Sequence, residues 1–375
     1  MGYTIDELRT AVAELTEPRT WGAAASLVAN ERKKVEAFVA DGGQAYGFTT
    51  LFGHLDSIRR EEEGRTNLYR GHLIGHPEAI SPDEARGIVS VKLCQLSLGG
   101  SGISPESYAR LRDAFVSDLQ RVQVDLRASY GSGDVVPGTW LVRSIFPGPD
   151  SLKRGDLMAL INGAYIPAGV LLGHYGSIEE ALNRATCLVS RARDLSVTRR
   201  ESDHVQLPVS LRDVQPLRDA IDSALKSMQT AITRSANRQS ANPLFLFSDG
   251  KTHPVSNSSF LDFKFSLDVA AIHETVRIAG AYVVAATRWV SGLAEVIVDD
   301  LERPLYVQLP KVCKAYEDQF TSSTASAAYS QTESRGVEDI SDSSLRRVLD
   351  LTQAVDILDR MSNLLSDELE KLKPQ

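Results

Sequence analysis

Residues 128 to 165 form the stretch whose residue types and spacing are best suited to chemistry. Within it, Gly131-Ser132-Gly133-Asp134 can bend back sharply, because glycine accepts backbone angles that other residues resist. In such a bend the amide nitrogen of Gly133 can attack the carbonyl carbon of Gly131, and loss of water from Ser132 then leaves an exocyclic methylene. The product would be 4-methylideneimidazol-5-one (MIO), an electrophile made from the chain itself. Gly-Ser-Gly is also common in flexible turns, so the tripeptide needs support from its context.

The elements around this stretch are predicted to be helices. Capping boxes at Thr4/Glu7 and Ser81/Glu84 predict helix starts, and apolar residues then recur at helical spacing. The predicted helices cover about 5–15, 23–40, 67–76, 105–119, 178–194, 213–235, 263–301 and 343 onward, and a further helix is predicted to begin at residue 82. The 263–301 run is apolar on most sides, as expected in the middle of a bundle or at a subunit interface. Only Leu244 to Phe247 has a strand pattern.

The predicted fold is therefore an all-α bundle of long helices, with functional loops at the helix ends. One such loop, residues 42 to 53, has four glycines in twelve residues. The predicted division is a helical amino-terminal part (1–200), which carries both glycine-rich loops, and a central bundle with the carboxy-terminal helices (201–375). We expect the two parts to form one continuous structural unit.

Composition and charge exclude several classes of protein. The chain has 375 residues and a net charge of -8, which argues against a general nucleic-acid binder. No run reaches about 18 uninterrupted apolar residues, so no membrane span is expected. The start of the chain opens into a helical pattern without a signal peptide, which predicts a cytoplasmic location. Neither a disulfide framework nor a metal site is predicted from the spacing of the cysteines and histidines: Cys94, Cys187, Cys313, His54, His76, His174, His204, His253 and His273.

Taken in order, the loops resemble those of the histidine/phenylalanine ammonia-lyase family, whose members use an MIO group. Residues 46–53 resemble the family's Tyr-Gly-Val-Asn-Thr-Gly-Phe-Gly, and residues 131–137 resemble Ala-Ser-Gly-Asp-Leu-Ala-Pro. Residues 160–163 match its Leu-Ile-Asn-Gly, and residues 205–212 resemble Val-Gln-Asp-x-Tyr-Ser-Leu-Arg. Weaker similarity covers residues 67–79, 242–244, 257–268 and 337–339. The resemblance follows the family's order along nearly the whole chain.

The resemblance implies roles for individual residues. Tyr46 falls at the catalytic base, a role that requires a pKa depressed from about 10. Ser132, with Gly131 and Gly133, would form MIO, Asn162 would contact the MIO oxygen, and Arg212 would clamp the substrate carboxylate. The substrate-binding positions are His72, Gln206, Val209, Ser258 and Glu338. Each polar residue also has a structural interpretation: a loop anchor for Tyr46, loop hydrogen bonds for Asn162, a surface ion pair for Arg212, and helix positions for His72 and Glu338.

The sequence departs from the family at several of these positions. Gly131 replaces the alanine before the serine, a change that is expected to loosen the bend without forbidding the chemistry. Val209 replaces a second active-site tyrosine, and Ser258-Ser259 replace a Phe-His pair. The chain also lacks segments before Val205 and around 310–337 that typical members have.

The function that the resemblance implies is an MIO-dependent ammonia-lyase. It would act on an α-amino acid with an aromatic or polar side chain, histidine-like or tyrosine-like, in a specialised biosynthetic pathway, as a homotetramer and without a metal. The open alternatives are a 2,3-aminomutase, another elimination or tailoring enzyme on the same fold, and a non-catalytic scaffold or binding protein.

Overall fold

The computed structural model describes residues 2–59, 64–117, 119–198, 206–297, 303–320 and 326–372. His204, Val205 and residues 298–301, which enter the sequence predictions above, lie outside the described residues. Helices dominate these residues, and the strands among them pair as short two-stranded sheets. The prediction of an all-α architecture is confirmed.

The elements divide between two compact units. Unit 1 comprises residues Met1–His174, Gln229–Leu267 and Ala325–Val348, and unit 2 comprises Tyr175–Met228, Asp268–Thr324 and Leu349–Gln375. The helices are α1 (Ile5–Glu14), α2 (Arg19–Ala40), α3 (Gly64–His72), α4 (Pro82–Ser97), α5 (Pro105–Ser117), α6 (Val135–Ile145), α7 (Asp156–Ile161), α8 (Ile166–Gly173), α9 (Tyr175–Thr198), α10 (Val209–Arg212), α11 (Gln215–Ala236), α12 (Phe263–Ile297), α13 (Pro304–Val307), α14 (Leu309–Glu317), α15 (Glu333–Gly336) and α16 (Ser344–Lys371). The antiparallel strand pairs are β1 (Glu78–Ala79) with β2 (Gln123–Val124), β3 (Leu244–Ser248) with β4 (Lys251–Val255), and β5 (Ala328–Thr332) with β6 (Glu338–Asp342). The predicted division of the chain into residues 1–200 and 201–375 stays a prediction.

Local signals in the sequence account for many of the element boundaries. Thr4 and Ser81 each accept a hydrogen bond from the backbone three residues on, and both capping boxes are complete. The predicted strand at Leu244 is confirmed as β3. Its turn into β4 places Asp249 at φ 51° and Gly250 at φ 70°, and Asp-Gly is the pair that favours such a turn.

Close packing of α4 against α8 holds the loops of unit 1 in place. A Cβ atom on Gly87 would lie 2.1 Å from the carbonyl oxygen of Gly169, so the two backbones touch where both residues are glycine. Nearly every residue of α4 is buried. This rigid pair supports the Leu160-Ile-Asn-Gly loop, which comes immediately before α8.

Helix α12 is the most apolar long helix among the described residues. Residues Phe263–Val296 are long and apolar enough to cross a membrane by length and composition, and 56% of the most apolar window is buried inside the protein. A buried core helix has the same length and composition. The predicted apolar run 263–301 is thus a helix as far as Ile297.

Unit 2 contains a carboxyl group buried without a charged partner in contact among the described residues. Glu368 is fully buried in α16, where Ser291 Oγ donates to its Oε1, while no described atom forms a hydrogen bond with Oε2. Burial raises its pKa to about 7, although the Ser291 hydroxyl and the charge of Lys371 oppose the shift.

We expect Glu368→Gln to stabilise the protein above neutral pH. The folded state holds a proton on Glu368 that the unfolded chain loses near pH 4 to 5, so stability is fully present below that range and falls as the pH rises through about 7. The amide carries no such cost, so the variant should exceed wild type by roughly 2–3 kcal/mol at pH 8 and match it at pH 5. Urea unfolding at both pH values measures the difference. Glu370→Gln, at a more exposed position of the same helix, is the control, and equal curves for all three proteins at pH 8 would contradict the prediction.

Candidate active site

The Gly-Ser-Gly segment forms a tight bend at the start of α6. Gly131 and Gly133 have φ of 77° and 80°, and Asp134 is also left-handed at 51°. The carbonyl of Asp134 accepts from the Gly138 amide at 2.9 Å, which begins the helix. The predicted bend is therefore present, and both glycines adopt angles that other residues resist.

The side chain of Asp134 is buried and stabilises the bend through hydrogen bonds inside the protein. Its buried carboxylate accepts from the Ser129 hydroxyl, and Ser129 Oγ in turn accepts from the Gly131 amide at 3.1 Å. Burial, reinforced by the charge of Asp342 and opposed by the Ser129 hydrogen bond, raises the pKa of Asp134 to about 7. These contacts give Asp134 a supporting role in the bend.

Asn162 lies directly against the bend. A Cβ atom on Gly133 would lie 3.3 Å from Asn162 Oδ1, and Oδ1 itself is buried without a hydrogen-bond partner among the described atoms. The Gly163 amide donates to the Gly133 carbonyl at 3.3 Å, which ties the two loops together. An amide side chain that faces the bend with an unused polar atom is ready to bind a polar group there.

A lysine beneath this loop fixes the backbone of Asn162. Lys92 Nζ, buried in α4, donates to the Asn162 carbonyl at 3.0 Å and lies 4.4 Å from the centre of the Tyr165 ring. Desolvation lowers the pKa of Lys92 to about 7. Lys92 is thus a positioning residue for the loop that carries Asn162.

Tyr46 lies in the glycine-rich loop, and its phenol oxygen accepts a hydrogen bond from the Gly53 amide at 3.0 Å. Burial raises the pKa of Tyr46 above 10; the Gly53 bond opposes the shift, and the charges of Glu338 and Asp56 add to it. The pKa that the role of base requires is therefore not depressed in this pocket, because burial disfavours the ionised phenol and the charges of Glu338 and Asp56 add to that effect. At neutral pH the group is a phenol and a hydrogen-bond donor.

A cavity of about 270 Å³ in unit 1 brings most of the predicted site residues together. Six of its lining residues are predicted site residues: Tyr46, His72, Ser132, Asn162, Ser258 and Glu338. Gly131 and Gly133 form the bend on either side of Ser132. The polar character of the lining predicts a ligand with several hydrogen-bonding groups.

His72 and Glu338 provide the pocket's two most specific polar groups. His72 Nδ1 lies 2.9 Å from the Leu68 carbonyl, so this nitrogen carries the proton and Nε2 is left as an acceptor. Burial lowers the pKa of His72 and keeps its ring neutral, with the Phe52 ring 4.7 Å away. Glu338 follows a turn in which Ser334 and Arg335 have φ of 47° and 55°, and burial raises its pKa.

Three predicted residues are not among the residues that line this cavity. Gln206, Val209 and Arg212 belong to unit 2, where Val209 is 75% exposed and Arg212 Nε donates to the Leu207 carbonyl at 2.8 Å. Their assigned roles in substrate binding stay predictions.

Tyr130 and Asp56 are among the cavity residues that sequence reasoning missed. Tyr130 comes immediately before the bend, and burial raises the pKa of its phenol, with added contributions from Glu338 and Tyr46. Its adjacency to Gly131 was the available signal. Asp56 had none, because it lies just beyond the glycine-rich loop and only the folded chain brings it to the cavity.

Comparison with known proteins finds similarity to one family. Residues 3–169 match the family model described as aromatic amino acid lyase. The amino-terminal part of this chain is similar to that family. A histidine ammonia-lyase from Macrococcus caseolyticus (strain JCSC5402) is 23% identical over 320 residues, which cover 68% of this chain and 64% of that protein. The chain spans between 27% and 64% of the length of five curated relatives that it matches.

Solved structures extend the similarity of fold beyond residue 169. A tyrosine aminomutase from Streptomyces globisporus matches with a TM-score of 0.77 and 16% identity, covering 98% of this chain and 86% of that one. A histidine ammonia-lyase from Trypanosoma cruzi matches with a TM-score of 0.69 and 16% identity, covering 100% of this chain and 84% of that one. The predicted lyase-type helical fold is confirmed.

The residues at the bend and beside it fit an MIO group. Three features would serve such a group: the bend at Gly131–Gly133, the Ser132 side chain at the cavity, and the Asn162 oxygen, which has no hydrogen-bond partner among the described residues. Amide oxygen and nitrogen exchange by rotation, so Asn162 can present either atom. Within the described part of the chain, no cluster of three or more His, Cys, Asp or Glu side chains is placed to hold a metal ion.

Proposed function

We propose that this chain is an ammonia-lyase that acts on an α-amino acid with a polar aromatic side chain, histidine-like or tyrosine-like. The observation that carries the proposal is the cavity of unit 1 that Tyr46, His72, Ser132, Asn162 and Glu338 all line. The family match over residues 3–169 supports the same reaction class. A binding scaffold would have no need for this combination of groups around a Gly-Ser-Gly bend.

The proposed prosthetic group is MIO made from Gly131, Ser132 and Gly133. When formed, it supplies an electrophile that binds the substrate amine and makes it a better leaving group. Asn162 would hold the group's oxygen through its side-chain amide, and Lys92 keeps the Asn162 backbone in place. The elimination also needs a base for the β-proton and fixed donors for developing charge.

Tyr46 is the proposed base, acting through its phenol oxygen. The Gly53 amide donates to that oxygen and would stabilise its charged form. Burial and the nearby Glu338 and Asp56 oppose ionisation, so the pKa is not depressed as the resemblance led us to expect; the base form is a small fraction at neutral pH and grows as the pH rises. Tyr46 thus gives the reaction an alkaline pH dependence.

The substrate side chain is proposed to lie between His72 and Glu338. Nε2 of neutral His72 accepts a hydrogen bond, and a carboxylate at Glu338 does the same. Two acceptors favour a ring that carries a donor, such as an imidazole N–H or a phenol O–H, over an unsubstituted phenyl ring. Leaving these acceptors unpaired is unfavourable, above all at the buried His72.

The substrate carboxylate needs a cation that the cavity itself does not supply. Its lining residues, all within the described part of the chain, include neither arginine nor lysine. Arg212 is the proposed clamp, and its planar guanidinium suits both carboxylate oxygens. The proposed homotetramer would offer sites built from several subunits, as the family resemblance implies.

We expect Glu338→Gln to lower kcat/KM for a substrate with a ring N–H or O–H by about 10- to 100-fold, since a hydrogen bond to a charged group contributes about 1.5–3 kcal/mol. Phenylalanine, if accepted at all, should be affected far less. Glu333→Gln, an exposed change in the same turn, is the control. Equal losses for both substrates would remove Glu338 from side-chain recognition.

The reaction itself is tested by incubating purified protein with histidine, tyrosine or phenylalanine. The proposal predicts release of ammonia with an unsaturated acid, faster from histidine or tyrosine than from phenylalanine. A β-amino acid as the main product would indicate the aminomutase. No turnover of any of them by protein that carries the MIO group would overturn the proposed substrate class.

A further inference from the structure

We propose that the end of β6 prepares Gly131 for ring closure: the main-chain N–H of Asp342 holds and polarises the carbonyl that Gly133 must attack. The inference rests on the proposed function, because it concerns the formation of the MIO group. It makes Gly131 an obligatory glycine in this chain and assigns a positioning role to Asp342.

The contact between the two segments is specific. Asp342 N donates to the Gly131 carbonyl oxygen at 3.0 Å, while the Gly131 amide is held by Ser129 Oγ at 3.1 Å. Both sides of Gly131 are thus fixed by hydrogen bonds, one from within the bend and one from a strand more than two hundred residues later. A donor at the oxygen draws electron density from the carbonyl carbon and stabilises negative charge there during attack.

Asp342 is itself anchored, so that its N–H is a fixed donor. Its Oδ2 accepts from the Asp262 amide at 2.8 Å and its Oδ1 from the Ser344 amide at 2.9 Å. The strand pairing of Asp342 with Ala328 adds a further constraint. A donor that needs no rearrangement when charge develops is the arrangement that gives the largest electrostatic stabilisation.

The same contact leaves no space for a side chain at residue 131. A Cβ atom on Gly131 would lie 2.1 Å from the Asp342 carbonyl oxygen and 3.0 Å from its nitrogen. With φ at 77°, an L-residue would also be strained. A glycine at residue 131, where the family has alanine, is therefore what allows β6 to approach this closely. The expectation that Gly131 loosens the bend is not met here.

Ring closure and dehydration need no oxidant or other reactant. The Gly133 nitrogen bonds to the Gly131 carbon, and its proton moves to the Gly131 oxygen, which becomes a hydroxyl hydrogen-bonded to Asp342 N–H. That hydroxyl leaves as water with the Ser132 amide proton, which creates the ring C=N bond. The Ser132 hydroxyl then leaves as a second water with the Cα proton, which creates the exocyclic C=C bond.

A small cavity behind the bend suits the first water. It is lined by residues that include Gly131, Gly133, Asp134, Asp262 and Asp342, and it measures about 10 Å³, room for about one water. Asp134 provides a buried carboxyl group beside this space that can exchange a proton. Water released from Gly131 therefore has a polar position on the Asp342 side of the bend.

The first test is the intact mass of Gly131→Ala beside wild type and Gly176→Ala. A Cβ atom on Gly176 would have no described neighbour within 4 Å, so this position is a matched control for a glycine-to-alanine change. We expect wild type and Gly176→Ala to lack two waters, about 36 Da. Folded Gly131→Ala, checked by circular dichroism, should keep its full mass or lose the waters at least about 100-fold more slowly. Complete dehydration of Gly131→Ala at the wild-type rate would overturn the inference.

Asp342 variants keep the proposal testable if Gly131→Ala does not fold. Asp342→Ala removes both acceptors that anchor the strand end, whereas Asp342→Asn retains one. After a short pulse of expression, the dehydrated fraction should grow fastest in wild type, then Asp342→Asn, then Asp342→Ala, with about tenfold between the extremes. Equal rates for all three would overturn the role of Asp342. A wild type that loses no water would instead overturn the proposed function, so the two failures are distinguishable.

Discussion

Ser132→Ala should lose ammonia release by about 1,000-fold or more while it keeps the fold of wild type. Alanine has no hydroxyl to eliminate, so the exocyclic methylene cannot form, and the substrate amine meets no electrophile. Ser132 is buried at the cavity, and alanine removes only its hydroxyl oxygen, a small change for the packing of the bend. The loss of a group on which the whole reaction depends is expected to be this large.

Circular dichroism and steady-state ammonia release on the same preparations test this expectation. Ser151→Ala, an exposed serine of unit 1, should retain wild-type activity and controls for the mutation type. If Ser132→Ala released ammonia at the wild-type rate, the serine would have no part in catalysis, and the cavity would need another electrophile.

Tyr46→Phe should lower kcat by about 100- to 10,000-fold, the usual contribution of a positioned acid or base. The phenyl ring keeps the shape of the side chain but removes the oxygen to which the Gly53 amide donates. Substrate binding should change much less than kcat, because the group acts in proton removal. Tyr329→Phe, an exposed tyrosine on β5, should behave as wild type.

The pH profile separates a base from a packing residue. Burial raises the pKa of Tyr46 above 10, so the ionised fraction, and with it the wild-type rate, should rise with pH throughout the range from 7 to about 10. The Tyr46→Phe profile should lack that rise. If Tyr46→Phe were slower but its rate still rose with pH as in wild type, another group, such as Glu338, would have to remove the proton.

The helices were predictable because their signals are local. Capping at Thr4 and Ser81 and the apolar spacing of α16 each depend on residues within a few positions of one another, and the structure has those elements where the patterns indicated. The short strands β5 and β6 were missed, because their sequence is polar and lacks the apolar alternation that indicates a strand. Propensity is weak information for such segments.

The sequence predicted only those residues of the candidate site that lie in recognisable motifs. Tyr46, Ser132 and Asn162 were found from their loops, and one cavity brings them together. The buried Lys92 under Asn162 and the bond from Asp342 to Gly131 join residues far apart in sequence, and no spacing rule contains them. The direction of the Tyr46 pKa likewise depends on which charges the fold places nearby.

The most direct test of the central claim is the intact mass of the purified wild-type protein, with Ser132→Ala measured beside it. Ring closure and dehydration at Gly131, Ser132 and Gly133 remove two waters, so wild type should fall about 36 Da below the mass of its sequence. Ser132→Ala can lose at most the water of ring closure. A peptide map should place the wild-type deficit in the segment that contains Ser132. A wild-type protein with the full mass of its sequence would contradict the account of this cavity as an MIO site.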